Sequence, residues 1–315
     1  MRTNLQAGKA DMQAVGILVV LIAIATFAFL KPASSPDDKP SNIPTENGGG
    51  SQIAPKEALP ASQEPLYSSQ IRLDSGNASY TYQPFQEYIS IYNGGDQPVD
   101  ITGWQLKNGK SRRGYDIGGT LKYFPSDVAF IPKVALFVSP WGYNVLYDVV
   151  LKPDETAIIV TGSMAQQTPY RIVSFKENIC SGFLENLSDY EFTPSLSTEC
   201  PVPSEEPGVS FLDSECRAFI ENLSSCYTPE FNTRDSEGEI CYNCVDGQVL
   251  SSSCITFIRN HFNYNSCIVN HSGDTDFSGQ TWRIFLGIGW EMWADKYETI
   301  ELFDHAGRLI DKLTY

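Results

Sequence analysis

The stretch EYISIYNGGDQPVDITGWQL, residues 87–106, determines the fold that this sequence predicts. Residues 88–92 are mostly β-branched or aromatic, and their alternation places Ile89 and Ile91 on one face of a strand. Residues 93–98 follow with asparagine, glycine, aspartate and proline, which favour a turn. The alternation then resumes in two further short runs. Three short strands joined by tight turns predict an antiparallel β-sandwich.

The same stretch resembles the opening of a lamin tail domain, through a strand Glu-Tyr-Ile-x-Ile-Tyr-Asn, a Gly/Asp turn, Pro-Val-Asp-Ile and Gly-Trp-x-Leu. Residues 298–311, ETIELFDHAGRLID, resemble the closing hairpin of that domain. The resemblance covers residues 66–175 and 280–315, and it implies an immunoglobulin-like β-sandwich with a non-catalytic binding or architectural role. The arrangement as a whole resembles microbial membrane-anchored surface proteins that join such a sandwich to a cysteine-rich insert.

Length and composition allow a turn-rich β protein with a sizeable core. The chain has 315 residues, of which 42% are hydrophobic, and it contains 24 glycines and 19 prolines. Its formal net charge of −16 argues against a general nucleic-acid binder, because phosphate contacts require clustered Lys and Arg. The preferred interpretation of the excess acidic side chains is that they lie on a solvated surface.

The N-terminal part contains an uninterrupted apolar run, Ala14 to Leu30. As a helix this run would span about 25 Å, near the lower limit for a bilayer core of about 30 Å. We expect a cytoplasmic segment at 1–13, a transmembrane helix at 14–30 and a flexible linker at 31–65. A pilin-type leader cut near Gly8 is an alternative that keeps the same helix. The prediction is a single-pass protein of the cell membrane whose C-terminal part is extracytoplasmic.

All cysteines lie in one window, which we interpret as an insert at 176–279 within the sandwich. An even, clustered set of cysteines is typical of a disulfide framework in an exported segment. The predicted fold class is therefore mainly β, an immunoglobulin-like β-sandwich with a disulfide-rich α-helical insert, preceded by one transmembrane helix and a disordered linker. The disulfide candidates are Cys180, Cys200, Cys216, Cys226, Cys241, Cys244, Cys254 and Cys267.

Three of these cysteines are followed by Phe three residues later and by an aliphatic residue four later. This spacing places the three side chains on one face of a short helix. Each copy has a cysteine downstream, so the spacing favours local bridges: Cys180–Cys200, Cys216–Cys226 and Cys254–Cys267, with Cys241–Cys244 left over. A zinc site formed from Cys241, Cys244, His261 and His271 is the competing interpretation.

Two aromatic segments are expected to contribute to the core. In residues 112–147 the predicted core or second-sheet positions are Phe124, Phe130, Val134, Leu136, Phe137 and Trp141. In residues 281–293 the aromatic side chains are predicted to lie in the core or at the seam between insert and sandwich, with an exposed platform as the alternative: Trp282, Phe285, Trp290 and Trp293.

Two stretches carry candidate ligand-binding side chains. One is a predicted hairpin tip, named the cationic turn, whose positive side chains are Lys107, Lys110, Arg112 and Arg113. It is the best candidate for binding an anion. The competing interpretation is a charged turn that protects a sheet edge. The other, Asp274-x-Asp276-x-Ser-Gly, matches the first half of a calcium loop, but Phe285 occupies the position of the bidentate glutamate. We therefore predict no metal site and keep Asp274 and Asp276 as weak calcium candidates beside the simpler interpretation of a polar loop.

None of the three histidines lies in a recognised motif for metal-dependent or nucleophilic catalysis, so the sequence predicts a non-enzyme without a cofactor. The first hypothesis is a membrane-anchored extracytoplasmic interaction or adhesion module that binds an envelope protein or polysaccharide. The second is an accessory role in extracellular DNA handling through the cationic turn, although nucleic acid is the less expected partner. The third is a secreted metal-dependent enzyme with its site in the insert.

Overall fold

The computed structural model describes residues 67–164, 169–234 and 238–315. The predicted cytoplasmic segment, transmembrane helix and linker, at 1–13, 14–30 and 31–65, lie outside these residues. Among the residues that are described, no helix has the length and apolar character needed to cross a membrane.

Short strands dominate the described residues. In chain order they are β1 (Ile71–Asp74), β2 (Tyr88–Asn93), β3 (Val99–Asp100), β4 (Gln105–Asn108), β5 (Gly114–Ile117), β6 (Thr120–Tyr123), β7 (Val128–Phe130), β8 (Val134–Ala135), β9 (Leu146–Tyr147), β10 (Val150–Leu151), β11 (Thr156–Val160), β12 (Phe175–Asn178), β13 (Cys244–Val245), β14 (Gln248–Val249), β15 (Ser278–Phe285), β16 (Thr299–Phe303) and β17 (Leu309–Thr314). The helices are α1 (Ser181–Glu185), α2 (Ser214–Glu221), α3 (Ser252–His261) and α4 (Tyr264–His271), with three 3-10 turns at Lys110–Arg112, Pro203–Glu205 and Val209–Phe211.

Two sheets carry the core. The larger has seven strands in the order β1-β2-β11-β15-β12-β8-β9, and the smaller has four in the order β17-β16-β4-β7. The predicted alternation of β2 is confirmed, because Ile89 and Ile91 are fully buried while Tyr88, Ser90 and Tyr92 are partly exposed. The predicted closing hairpin is also confirmed: β16 and β17 pair antiparallel, and His305 lies exposed in the turn between them.

One apolar cluster joins the two sheets. It contains inward side chains of the larger sheet, such as Ile91 and Ile159, together with Leu106 and Leu302 of the smaller sheet. Trp104, which follows Gly103 in the opening stretch, is 1% exposed in the same cluster. Burial of such side chains is the main favourable term in folding, at about 25 cal/mol per Å² of apolar surface.

The predicted fold class is wrong: the described chain is mainly β with several sheets and disulfides, but its largest sheet is mixed. An immunoglobulin-like sandwich is built from antiparallel sheets, whereas β11 pairs parallel with β15 and β12 pairs parallel with β8. Parallel neighbours require a crossover connection. Residues 161–277, here named the crossover segment, provide it, because the chain leaves after β11 and returns as β15 between β11 and β12.

Side-chain caps fix the start of three helices in the crossover segment. The caps of α2, α3 and α4 are Asp213, Ser251 and Asn263, and each side chain accepts a hydrogen bond from a backbone N–H three residues later. In α2 and α3 that N–H belongs to Cys216 and Cys254, respectively. The caps therefore hold two cysteines in the first turn of their helices, on the buried face.

All eight cysteines form disulfides, but three of the four predicted pairs are wrong. The bonds are Cys180–Cys267, Cys200–Cys226, Cys216–Cys254 and Cys241–Cys244. The helical part of the repeat is present, since α1, α2 and α3 fall on its three copies. The error lies in the partner: a cysteine on a buried helix face points toward a neighbouring element, so α2 is bridged to α3 and the start of α1 to α4.

Two buried ion pairs hold β12, the strand that the crossover segment contributes to the larger sheet, against its neighbours. Lys176 of β12 donates to Glu155 at 2.6 Å, and Trp282 Nε1 of β15 donates to the second oxygen of the same carboxylate at 2.9 Å. Arg283 pairs with Glu177 at 2.5 Å and donates to the carbonyl of Ser195 at 2.6 Å. Three neighbouring strands are thus linked through charges that are almost completely shielded from water.

Candidate ligand-binding surface

An exposed hairpin lies at one edge of the larger sheet. Strands β8 and β9 pair antiparallel, with Val134 opposite Tyr147 and Ala135 opposite Leu146. We name residues 134–147, VALFVSPWGYNVLY, the aromatic hairpin. Because β9 is the outermost strand of its sheet, one side of the hairpin has no neighbouring strand.

The tip of the aromatic hairpin presents large apolar side chains to solvent. Trp141 is 59% exposed, Tyr143 71% and Val145 60%. The prediction that Trp141 belongs to the core is wrong, as are those for Phe130 and Phe124, which are 61% and 38% exposed. The cause is position: Trp141 lies in the turn of the hairpin, Phe124 follows β6, and Phe130 ends β7, the outermost strand of the smaller sheet.

The same sequence segment also supplies buried residues. Val134 is fully buried, and Leu136 packs against the cluster between the two sheets. Phe137 packs against a second apolar cluster, which contains Tyr264 and Phe277 of the crossover segment. The β8 side of the aromatic hairpin is therefore part of the core, as predicted, while its tip is not, and Leu146 and Tyr147 of β9 are 53% and 46% exposed. This division gives the tip a rigid support.

The tip is held in shape by its own short-range hydrogen bonds. The backbone N–H of Ser139 donates to the side-chain oxygen of Asn144 at 2.7 Å, and the N–H of Trp141 donates to Ser139 Oγ at 3.2 Å. Gly142 has a φ of +82°, a conformation that glycine adopts without strain. The turn that presents Trp141 and Tyr143 is thus defined by local chemistry.

The crossover segment supports the aromatic hairpin from below. Tyr264 of α4 is 1% exposed, and its hydroxyl donates to the carbonyl of Val138 at 3.0 Å. Burial raises the pKa of the Tyr264 hydroxyl, so it stays protonated and remains a donor. Phe277 packs edge-on against Phe137 with ring centroids 6.1 Å apart. The Cys180–Cys267 disulfide anchors α4 in the apolar cluster that also contains Tyr264 and Phe277.

A shallow cleft opens between the tip and the base of the aromatic hairpin. It encloses about 150 Å³ and is lined by Phe137, Trp141, Tyr143 and Tyr147, with Ser139 and Asn144 as polar neighbours. Sites that enclose a whole small molecule have about 300–1,000 Å³. The cleft is therefore suited to contact one face of a larger ligand rather than to surround a small one.

The aromatic hairpin carries no charge. None of its fourteen residues is Asp, Glu, Lys, Arg or His, although the chain has a formal net charge of −16. A contact surface of this kind has no electrostatic attraction for a phosphate or for a strongly charged peptide. It favours a ligand that is itself uncharged.

The cationic turn, residues 107–113, lies beside acidic side chains, unlike the uncharged aromatic hairpin. Three of its four cations lie beside a carboxylate: Lys110 is 3.5 Å from Asp127, Arg113 is 2.6 Å from Glu298, and Arg112 contacts Glu301. The segment is a 3-10 turn between β4 and β5 rather than a hairpin tip. Its positive charges are thus largely compensated within the chain, and the paired carboxylates of Glu298 and Glu301 are almost fully buried.

The two weak calcium candidates line an acidic groove of about 390 Å³ in the crossover segment. Asp274 accepts a hydrogen bond from His271 Nδ1 at 2.8 Å, while His271 Nε2 lies 2.9 Å from Glu206. Burial lowers the pKa of His271, but the hydrogen bonds to Asp274 and Glu206 outweigh it and raise the pKa above its ordinary value. Asp274 is thus engaged with an imidazole, and Asp276 contributes to the wall of the groove.

The residues of the competing zinc interpretation have other partners in the structure. Cys241 and Cys244 bond to each other, and His261 stacks on Phe257 with ring centroids 3.8 Å apart. Across the described ranges, no group of three or more His, Cys, Asp or Glu side chains is arranged to hold a metal ion.

Comparison with protein-family models, with curated proteins and with solved structures found no match to this chain. Sequence reasoning missed the aromatic hairpin because it predicted core or second-sheet positions for Val134, Leu136, Phe137 and Trp141. The signal that identifies it is the combination of many aromatic residues, a Pro-Trp-Gly-Tyr turn and a complete lack of charge in one segment.

Proposed function

We propose that this protein is an extracytoplasmic, non-catalytic binding module that contacts an uncharged polysaccharide through its aromatic hairpin. The observation that carries the proposal is the set of exposed, preorganised aromatic rings on a hairpin that contains no charged residue. Sugar rings expose C–H groups that pack against aromatic faces, and a polymer offers many such faces in a row. An open platform suits that geometry.

The four disulfides support the location. Disulfides persist in oxidising compartments and are rare in the cytosol, and all eight cysteines are bonded. The folded part therefore belongs outside the cytoplasm. Attachment to a membrane rests on residues 14–30, which lie outside the described residues, and stays a sequence prediction. The lamin tail resemblance also stays a prediction, and it adds the expectation of a non-catalytic role.

Two alternatives receive less support from the geometry. A role in DNA handling requires the cationic turn to meet phosphates, but three of its cations already face carboxylates. Counterion release, the main source of affinity for DNA, needs cations that are free to replace salt ions. A charged protein partner would likewise find no complementary charge on the aromatic hairpin.

A binding assay with insoluble polymers tests the proposal. The full chain is incubated with cellulose, chitin and starch as uncharged probes, and with alginate and immobilised duplex DNA as anionic probes. We expect depletion of the protein by at least one uncharged polymer, with little dependence on salt. We expect no retention by DNA.

Two tryptophan variants connect binding to the aromatic hairpin. Trp141→Ala removes the largest exposed ring of the aromatic hairpin and should weaken binding about 30-fold, the equivalent of about 2 kcal/mol for a central contact residue. Trp290→Ala is a matched control, because Trp290 is also 59% exposed but lies outside the hairpin. Retention by DNA alone, or equal losses in both variants, would contradict the proposal. Binding only to a protein from the same envelope would replace polysaccharide by protein as the ligand.

A further inference from the structure

The four disulfides lie in two kinds of surroundings. Three bonds belong to buried apolar clusters, in which their cysteines pack among aromatic and aliphatic side chains: Cys180–Cys267, Cys200–Cys226 and Cys216–Cys254. The fourth, Cys241–Cys244, belongs to none of the apolar clusters among the described residues. Cys241 lies shortly before the small hairpin formed by β13 and β14, and Cys244 is the first residue of β13.

Cys241 is the most accessible of the eight cysteines. It is half-buried, whereas the other seven are at most 8% exposed. Its neighbours Ile240 and Tyr242 are 57% and 79% exposed, so the segment around it faces solvent. The rate of thiol–disulfide exchange depends on access to the attacked sulfur. A dissolved thiol therefore reaches Cys241 more readily than any other cysteine of this chain.

The Cys241–Cys244 bond also constrains the unfolded chain least. Its cysteines are 3 positions apart, against 26, 38 and 87 for the other bonds. The stabilisation by a disulfide grows with the length of the loop that it closes. Opening this bond should therefore cost the fold less stability than opening any of the other three.

Backbone hydrogen bonds hold the two cysteines in place independently of the bond between them. The N–H of Cys241 donates to the carbonyl of Thr233 at 3.1 Å, and the N–H of Asn232 donates to the carbonyl of Cys244 at 3.0 Å. Cys244 also pairs with Val249 across the small hairpin. A reduced pair would stay close enough to close again.

We propose that Cys241–Cys244 is a thiol–disulfide exchange site that reacts with a low-molecular-weight thiol while the rest of the protein stays folded and oxidised. A thiolate attacks Cys241 Sγ, the bond between the two cysteines breaks, and Cys244 leaves with the electron pair and takes a proton from water. A second small thiolate then attacks the mixed disulfide. It attacks the sulfur that came from the first small thiol, not Cys241 Sγ. Cys241 is then released as a thiol, and the two thiols are oxidised to their disulfide.

Graded reduction of the full native chain tests this proposal. The protein is incubated with increasing reduced glutathione, free thiols are blocked with N-ethylmaleimide, and the labelled cysteines are mapped by peptide mass spectrometry. We expect labels on Cys241 and Cys244 at glutathione concentrations at least 10-fold below those that label the other six. Earlier reduction of any other bond, or loss of all four bonds together, would overturn the proposal.

Paired substitutions separate exchange from folding. Cys241→Ala combined with Cys244→Ala should remove the first reduction step and lower the melting temperature much less than Cys216→Ala combined with Cys254→Ala. Single variants then identify the attacked sulfur. Cys244→Ala leaves the accessible Cys241 thiol, which should form a mixed disulfide with oxidised glutathione at least 10-fold faster than the Cys244 thiol left by Cys241→Ala. The reverse order of rates would contradict the assignment of Cys241.

Discussion

The two-sheet core and the crossover segment stabilise themselves in different ways. The core relies on apolar side chains from both sheets, such as Ile91 and Leu302, and all eight cysteines lie outside it. The crossover segment has short helices and smaller clusters, and it relies on four disulfides and on buried ion pairs at its junction with the sheet. Short helices are marginal in water by themselves, so cross-links replace the packing that a larger core would supply.

The proposed binding surface depends on the crossover segment, which is the region with the smaller apolar clusters. The aromatic hairpin belongs to the larger sheet through β8 and β9, yet its contacts with Tyr264 and Phe277 come from the crossover segment. Changes that loosen the crossover segment should therefore affect the hairpin, while the core between the two sheets should remain folded.

The largest effect is expected at the junction of the two regions. Lys176→Met leaves the buried Glu155 carboxylate without its cation, and breaking a buried pair in this way costs about 3–5 kcal/mol. Urea denaturation measures the loss. Lys133→Met is the matched control, because Lys133 and Asp148 form an exposed pair that contributes about 1 kcal/mol or less. Equal losses in the two variants would show that the junction is not fastened by its buried charges.

Removal of the longest-range disulfide should have the next largest effect. Cys180→Ala with Cys267→Ala opens a bond between residues 87 positions apart, and loss of a native disulfide costs about 2–5 kcal/mol. We expect a lower urea midpoint and weaker polysaccharide binding. Ile159→Ala in the core should reduce stability by a similar amount, about 2–5 kcal/mol, but leave binding unchanged at concentrations of urea where both variants are folded.

The core should show a pH dependence that originates at Glu87. Burial raises the pKa of this carboxyl to about 7, although the hydrogen bonds that it accepts from the backbone N–H groups of Met292 and Trp293 lower it. Because the folded state holds the proton more tightly than the unfolded state, stability should fall as the pH rises from about 4.5 to 7 and then level off. The size is on the order of 3 kcal/mol.

Urea titrations of the native chain and of Glu87→Gln between pH 4 and 8 check this dependence. Glutamine keeps an oxygen that accepts from the Met292 N–H, but it does not titrate. The difference between the two curves should therefore decrease toward pH 7. A parallel pair of curves would mean that Glu87 titrates near its ordinary pKa.

The smallest effect is expected beneath the aromatic hairpin. Tyr264→Phe removes the hydrogen bond to the carbonyl of Val138 and leaves the ring in place. Loss of one buried hydrogen bond costs about 0.5–1.5 kcal/mol, with the higher part of the range when the carbonyl stays unpaired. Thermal denaturation measures that loss, and the polymer assay should show binding reduced by a few-fold. Unchanged binding with reduced stability would limit Tyr264 to a structural role.

Local sequence patterns predicted much of the secondary structure. The alternation at Ile89 and Ile91 identified β2, and the repeated Cys-x-x-Phe spacing identified three short helices. These features depend on neighbours a few residues apart. The order of strands in the larger sheet does not, because β15 inserts between β11 and β12 from more than a hundred residues away.

The disulfide partners and the binding surface could not be predicted for a related reason. Spacing suggested that each cysteine bonds to the next one downstream, but Cys216 meets Cys254 because α2 and α3 pack together. Trp141 was predicted to lie in the core because it is a large apolar residue. The sequence does not show that this segment forms the turn of a hairpin at the edge of the sheet, where the side chain is exposed. The pairing of Arg113 with Glu298 was equally invisible, since the two lie 185 positions apart in the chain.

Hydrogen–deuterium exchange tests most directly whether the crossover segment holds the aromatic hairpin in place. Cys180→Ala with Cys267→Ala is compared with Cys216→Ala with Cys254→Ala, which opens a bond in a different cluster. We expect faster exchange at residues 136–145 in the first variant alone, with β2 and β11 protected in both. Unchanged protection of 136–145 in the first variant, or an equal loss in both, would contradict the account.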